Sequence, residues 1–266
     1  MFTIVIPNYN NAPWLDQMFE SIYKQTYDGY SIVFVDDCST DNSVEIACKW
    51  RNKFDELPGW YGDFEIIENG CKRWNGGSRN VGLRSSTTFT DTYVLFLDSD
   101  DYFADEHCLG EIVRVIKANN FPDLIRLSYI VKDSNGEFLA DLGGQDTIGE
   151  IVANNNVACW TRCVKTGKVV EFSENTLMED VVQHIKQLDC IETIAATHKG
   201  IVVWNRLNEN SCSRNQELQN GKWRSSLYRY YADLLDLKVK KPECQAELER
   251  RRAIALDNIK NDRFVQ

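Results

Sequence analysis

Tyr93-Val-Leu-Phe-Leu-Asp98-Ser-Asp-Asp101 is an apolar run that stops on three carboxylates, and its reading decides the fold. A short run of β-branched and aromatic residues ended by turn-forming acids reads as a buried strand with a polar end. The same pattern occurs twice upstream. Phe2 to Ile6 ends at Pro7, followed by Asn8, Tyr9 and Asn10, and Ser31 to Val35 ends at Asp36-Asp37. Phe64 to Ile67 is a fourth, shorter run. Between the runs lie helical spacings: Leu15, Met18, Phe19 and Ile22 within Trp14 to Gln25, then Val44 to Lys53 behind the cap-forming residues Ser39 to Ser43. Gly76-Gly77-Ser78 leads into a third helix. Strands separated by helices predict right-handed crossovers and a mainly parallel, buried sheet. Ligands bind outside the carboxyl ends of such strands, where three polar ends converge on one rim.

Composition bounds the rest. The chain has 266 residues, 43% hydrophobic and 26% charged, with a formal net charge of −10. That is the make-up of a globular protein with a large core, and it excludes collagen-like repetition and disorder. The acidic balance argues against a surface given over to nucleic acid. No stretch approaches the ~18 consecutive apolar residues of a membrane span, and the N-terminus has no basic region of the signal-peptide type. The nine cysteines are scattered without a CxxC pair, which disfavours zinc and suggests reduced thiols in a cytoplasmic compartment.

The second half is less regular. Leu109 to Ala118 reads as a helix, Asp123 to Val131 as a strand, and Asp133 to Glu137 as a hairpin turn. Gly143-Gly144 marks a loop. Val157 to Val164, Lys168 to Phe172 and Gly200 to Trp204 read as strands, and Met178 to Leu188 as a helix. Residues 1–215 are expected to form the main domain, with 1–105 as a nucleotide-binding half and 106–215 as an acceptor half. Residues 216–266 form a helical extension, suited to capping the domain or to an acceptor, oligomer or peripheral membrane contact at the inner face.

Clustered carboxylates at Asp98, Asp100 and Asp101 repel one another unless a cation sits among them. A hard divalent ion, Mg²⁺ or Mn²⁺, bridging a substrate diphosphate is the natural use, and a solvated Asp-rich helix cap is the plain alternative. Asp36 or Asp37 can accept from a base imide or a ribose hydroxyl, whereas Asp41 or Ser43 suits the cap of the next helix. Arg79 behind small residues can reach phosphate or a pyrimidine. Trp74 is the best placed of the tryptophans for stacking on a sugar. His184 suits a helix face, and Cys159 and Cys163 suit packing.

Ile4-Val-Ile-Pro-Asn-Tyr-Asn10, Val35-Asp-Asp-Cys-Ser-Thr-Asp41, Ser78-Arg-Asn-Val-Gly-Leu83 and Phe96-Leu-Asp-Ser-Asp-Asp101 resemble, in order and spacing, the motifs of family 2, GT-A-type glycosyltransferases. The resemblance implies an α/β, Rossmann-like, mostly parallel sheet flanked by helices. It implies that Pro7, Tyr9, Asn10, Asp36 and Asp37 hold a nucleoside, with Arg79 near the nucleotide. Asp98, Ser99 and Asp100 would hold the donor sugar, with Asp98 and Asp100 on the metal. Met178-Glu-Asp-Val181 resembles the family's Glu-Asp motif, with Asp180 as general base beside Glu179. Trp204 to Ser213 resembles its closing segment over the diphosphate. Cys38 stands where Gly is commoner, Gly77-Ser78 where Ala is, and the closing segment has no His to give the metal a third contact.

The activity implied is metal-dependent transfer of a sugar from a nucleotide-diphosphate sugar, read as a UDP-sugar, to an acceptor hydroxyl with inversion. Saccharide or glycolipid acceptors come first, protein or modified nucleic acid after them. The competing readings are a non-catalytic nucleotide-sugar or carbohydrate-binding module and a metal-dependent phosphoryl-transfer enzyme. The latter normally carries its Asp-x-Asp on the first strand rather than the fourth.

Overall fold

The computed structural model describes residues 2–86, 93–141, 147–153, 157–176, 178–209, 211 and 223–261. The first half follows the alternation of the sequence. Strands β1 (Phe2–Asn8), β2 (Tyr30–Asp36), β3 (Phe64–Glu68) and β4 (Tyr93–Phe96) are separated by helices α1 (Ala12–Tyr23), α2 (Ser43–Asp55) and α3 (Trp74–Ser86). β1 lies between β2 and β4, parallel to both, so the ends marked by Asn8, Asp36 and Asp98 form one rim. Pro7 is tolerated inside this central strand for a local reason. The Val5 carbonyl accepts from Leu97 where β4 leaves the ladder, and Pro7 points to the same side two residues later, beyond any donor's use.

α3 begins earlier than the glycines suggested: Gly76 and Gly77 lie in its first turn rather than in a preceding loop. The Asp37 carboxylate, two strands' worth of chain away, accepts from the backbone N–H groups of Arg73 (2.7 Å) and Trp74 (2.8 Å) and starts the helix. A Cβ on Gly82 would run into Val5 and Val35, so this glycine lets α3 lie directly on β1 and β2.

Beyond α4 (Cys108–Ala118) the chain uses two sheets. The seven-stranded sheet has the order β10-β6-β9-β4-β1-β2-β3, with β9 (Arg162–Lys165) antiparallel to its neighbours and β6 (Leu124–Arg126) and β10 (Ile194–Ala196) beyond it. A four-stranded sheet has the order β5-β11-β7-β8, built from Tyr102–Phe103, Val202–Asn205, Tyr129–Asp133 and Gly136–Ala140. The single strand expected over 123–131 is therefore two strands in different sheets. The crossing is stitched at Ser128, whose hydroxyl donates to the Thr197 carbonyl (2.6 Å) while its own carbonyl accepts from Ile201. The predicted hairpin turn is present between β7 and β8. The Gly143-Gly144 loop lies outside the described residues.

Two further expectations change. Residues 157–164 give a 3₁₀ turn (Cys159–Thr161) before β9, and 168–172 form no strand. Side-chain amides satisfy the backbone of that segment instead. Asn80 donates to the Phe172 carbonyl (3.0 Å) and accepts from its N–H (2.8 Å), and Gln187 does the same for Lys168 and Val170. β10, only three residues long, had no periodic signal. α5 (Ile148–Ala153), α6 (Glu179–Cys190), α7 (Trp223–Asp236) and α8 (Pro242–Lys260) share one core, in which Val182, Ile185, Leu234, Cys244 and Leu248 are fully buried. The Lys241 ammonium gathers the carbonyls of Leu188, Asp189 and Ile191 at the end of α6. No helix among the described residues is long and apolar enough to cross a membrane.

Candidate functional site

Turn chemistry builds the rim beyond β1 and β2. The Asn8 amide donates to Asp36 Oδ1 (2.8 Å) and to the Ser39 hydroxyl (3.2 Å), and Asp36 Oδ2 accepts from the Ser39 N–H (2.8 Å). Asn10, at φ 51, accepts from the Thr40 N–H (2.7 Å), and Cys38, at φ 62, donates its thiol to the Asn69 carbonyl. Left-handed backbone at non-glycine residues is costly and persists where surroundings over-determine it. Asp41 accepts from Ala12 N–H at the start of α1 and from the Ser43 N–H and hydroxyl at the start of α2, so one carboxylate serves two helix ends. Tyr9, 42% exposed, presents its ring above this floor, while Pro7 is buried within β1.

The two acids of the second motif separate by task. Asp37 accepts from Asn69 Nδ2 (2.9 Å) as well as from Arg73 and Trp74, which makes it the fastener of the 69–74 loop. Asp36 sits beneath the rim with its bonds to Asn8 and Ser39.

Arg79 does not lie on an open surface. Its side chain is 2% exposed and lies between three carboxylates: Asp98 (Nη2 to Oδ1, 2.7 Å), Glu179 (Nη1 to Oε1, 2.7 Å) and Asp180 (Nη1 to Oδ1, 3.6 Å). In this arrangement its task is that of a buried counter-ion joining the end of β4 to the start of α6. Close packing makes this reach possible, since a Cβ on Gly76 would strike the Ser173 carbonyl and the Glu179 side chain. Glu179 and Asp180 differ in exposure, at 7% and 25%, so Asp180 is the one open to a substrate. Burial raises the affinity of both for protons; the charge of Asp180 adds to this at Glu179, and Arg79 opposes it at each. The buried Cys159 thiol lies close enough to the Asp180 carboxylate to favour its charged form.

Asp98 and Asp100 sit together at the end of β4. Burial, and then the charge of Asp98, pushes the Asp100 carboxyl up to about 6. An acid held beside a second one at a cost to its own ionisation fits a divalent cation, which would relieve that cost. Among the described residues no group of three or more His, Cys, Asp or Glu is spaced as a metal cage. Asp101 turns away, buried, to accept from the Asn205 N–H (2.8 Å). Ser99, also buried, accepts from the Asn11 amide (2.8 Å). Asn208 of the closing segment donates to Asp100 Oδ2 (2.7 Å) and reaches Asn11 Oδ1 (3.4 Å). The sequence placed Asn208 in the closing segment and Asn11 in the turn after β1, but gave neither a site role; the fold brings both to the acidic turn. Residues 210, 212 and 213 of that segment lie outside the described residues.

Comparison with known proteins follows this geometry. The glycosyl transferase family 2 model matches residues 3–143, which hold β1 to β4 and the acidic turn. The processive diacylglycerol beta-glycosyltransferase of Mycoplasma pneumoniae is 32% identical over 136 residues, 49% of this chain and 36% of that protein. The poly(ribitol-phosphate) beta-N-acetylglucosaminyltransferase TarS of Staphylococcus aureus is 27% identical over 181 residues, 67% of this chain and 28% of that one. The chain thus spans under half the length of these relatives. In structure it is similar to S. aureus TarS 1–349 in complex with UDP-GlcNAc, with a TM-score of 0.73 at 19% identity over 93% of this chain and 70% of that one. It is also similar to a mannosyltransferase from Pyrobaculum calidifontis in complex with GDP-Man and Mn²⁺, with a TM-score of 0.66 at 17% identity over 97% and 70%. The rim of three strand ends, the acidic turn and the family match agree: the chain has the GT-A fold and belongs to glycosyl transferase family 2.

Proposed function

We propose that this chain transfers a sugar from a nucleotide-diphosphate sugar, read as a UDP-sugar, to an acceptor hydroxyl with inversion at the anomeric carbon. The observation that carries the reading is Arg79, which draws the end of β4 and the start of α6 onto one guanidinium. An acid turn suited to a diphosphate thereby lies near a part-buried carboxylate suited to a hydroxyl.

The residues then divide the work. Tyr9 forms the base platform above Asp36, with Pro7 buried beneath it in β1, and Ser39 and Asn10 shape its edge. Asp98 and Asp100 would hold Mn²⁺ or Mg²⁺, which when bound supplies positive charge at the departing diphosphate. Asn208 ties the closing segment to Asp100 and shuts water from that end. Asp180 takes the proton of the acceptor hydroxyl as its oxygen attacks the anomeric carbon from the face opposite the diphosphate. Burial suits it to this task by raising its proton affinity, while Arg79 keeps it ionised before the acceptor arrives. Glu179, the carboxylate beside Asp180, is committed to Arg79, so one displacement with Asp180 as base is the simplest route. One displacement inverts the centre, so an α-linked donor gives a β-linked product.

Proton NMR of the first product formed from an α-linked UDP-sugar tests the reading. A β-anomer is expected, and retained configuration overturns the mechanism.

A further inference from the structure

The rim that carries Asn8, Asp36 and Asp98 does not stop at β4. Both β4 and β6 run antiparallel to β9, so β6 ends, and β9 begins, on the side of the sheet where the acidic turn lies. Arg126 closes β6, Arg162 opens β9, and the two are direct cross-strand partners. They share one face with Leu124 and Val164, which belong to the core around α6. Along the rim the charge therefore changes sign, from the acids at β2 and β4 to arginines at β9 and β6.

Like charges directly opposite on a sheet repel, and both arginines are 3% exposed or less. Arg162 Nη2 donates to the Val157 carbonyl (2.7 Å), but its Nε and Nη1 are buried without a partner. Among the described residues no carboxylate forms an ion pair with Arg162, although the charge of Asp180 is felt there from the start of α6. Burial, and then Arg162, pushes the Arg126 guanidinium down to about 10. His184, one turn along α6 from Asp180, is held neutral by burial and by the charges of Arg162, Arg251 and Arg126. A buried donor without a partner is costly, and two guanidinium groups held together fit an anion.

We propose that Arg126 and Arg162 form an acceptor subsite for an anionic group, a phosphate or a carboxylate, carried beside the hydroxyl that attacks. The proposal rests on Asp180 being the base of the transfer described above. The strand ends are fixed by the sheet, so an anion bound there sets the acceptor's position against Asp180. A neutral acceptor leaves the Arg162 nitrogens unpaired, and discrimination comes from that failure as much as from the good contact.

Two measurements decide it. The first is transfer from a UDP-sugar to matched acceptors: glycerol 3-phosphate against glycerol, and methyl glucuronide against methyl glucoside. The anionic member of at least one pair is expected to be favoured about tenfold or more in kcat/KM, and the larger preference names the anion. Arg162→Met and Arg126→Met should bring the two members level, and Arg162→Lys should keep part of the preference. Replacing a buried charge by an apolar side chain of similar length leaves the fold intact, which denaturant unfolding checks. The second measurement needs no acceptor. With UDP and Mg²⁺ filling the donor seat, inorganic phosphate and acetate are each tested for raising Tm; one should do so in the unaltered chain and not in Arg162→Met. No anion preference together with no such Tm rise, or either effect surviving in Arg162→Met, overturns the subsite. Failure of UDP itself to raise Tm removes the nucleotide reading instead, and leaves an Arg162-dependent anion effect standing.

Discussion

Asn8 and Asp36, on the rim beyond β1 and β2, are 28 residues apart, and Asn10 and Thr40 are 30 apart. Arg79 and Glu179, on the wall where α3 and β4 meet α6, are 100 apart, and Asn208 and Asp100 are 108 apart. The rim completes itself once β1 and β2 pair, because its Asn, Asp and Ser side chains bond the backbone of adjoining turns. The wall exists only when α3, β4, α6 and the closing segment have all met. It holds a buried ion network, where removing one partner costs far more than the pair contributes. Local chemistry thus builds the rim, and the packed core positions the wall.

The largest expected effect tests the meeting point of the two regions. Asp100→Asn should abolish transfer and remove the Mn²⁺ dependence of nucleotide binding, read by calorimetry with Mn²⁺ and with EDTA. Equal UDP affinity in all three conditions would break the link between rim and cation. Next, Asp180→Asn should lower kcat by about 10²-fold or more with little change in donor KM, at near-normal stability.

Its neighbour should behave in the opposite way. Glu179→Ala leaves buried Arg79 with Asp98 as its one short ion pair and should cost about 1–3 kcal/mol in denaturant unfolding. If Glu179→Ala is as stable as Asp180→Asn, the wall is not held by the ion network.

A pH dependence sharpens the contrast further. Asp100 binds its proton more tightly folded than unfolded, rising from 3.8 to about 6. Its contribution to stability is therefore present below about 4 and lost as pH rises through about 6. The same proton competes with the cation, so Mn²⁺ affinity should fall as pH drops below about 6, in calorimetry at several pH values. A flat profile would remove Asp100 from the cation site. The smallest effect belongs to the rim. Asp37→Ala should cost about 1–2 kcal/mol, as a lost helix cap does, and loosen the 69–74 loop in hydrogen exchange.

The α/β class, the parallel order of the first four strands and the rim of polar strand ends were legible in the sequence. Period-two and period-3.6 patterns carry that information within 10 to 20 residues, on the order of one element each. Asp98 and Asp100 were visible too, as carboxylates clustered after an apolar strand, and Glu179 and Asp180 through the resemblance to the family's motif. What only the tertiary structure decided is how these groups are used. Gln187 and Asn80 stand in for a missing strand partner along 168–172, and Ser128 passes the chain from one sheet to the other. Asp37 is a fastener rather than a free acceptor, and Arg79 is a counter-ion rather than an open phosphate contact. Each of these outcomes depends on what lies beside a side chain after packing. Burial and the identity of a distant partner set whether a charge binds ligand or holds the protein together, and neither is written in the neighbouring residues.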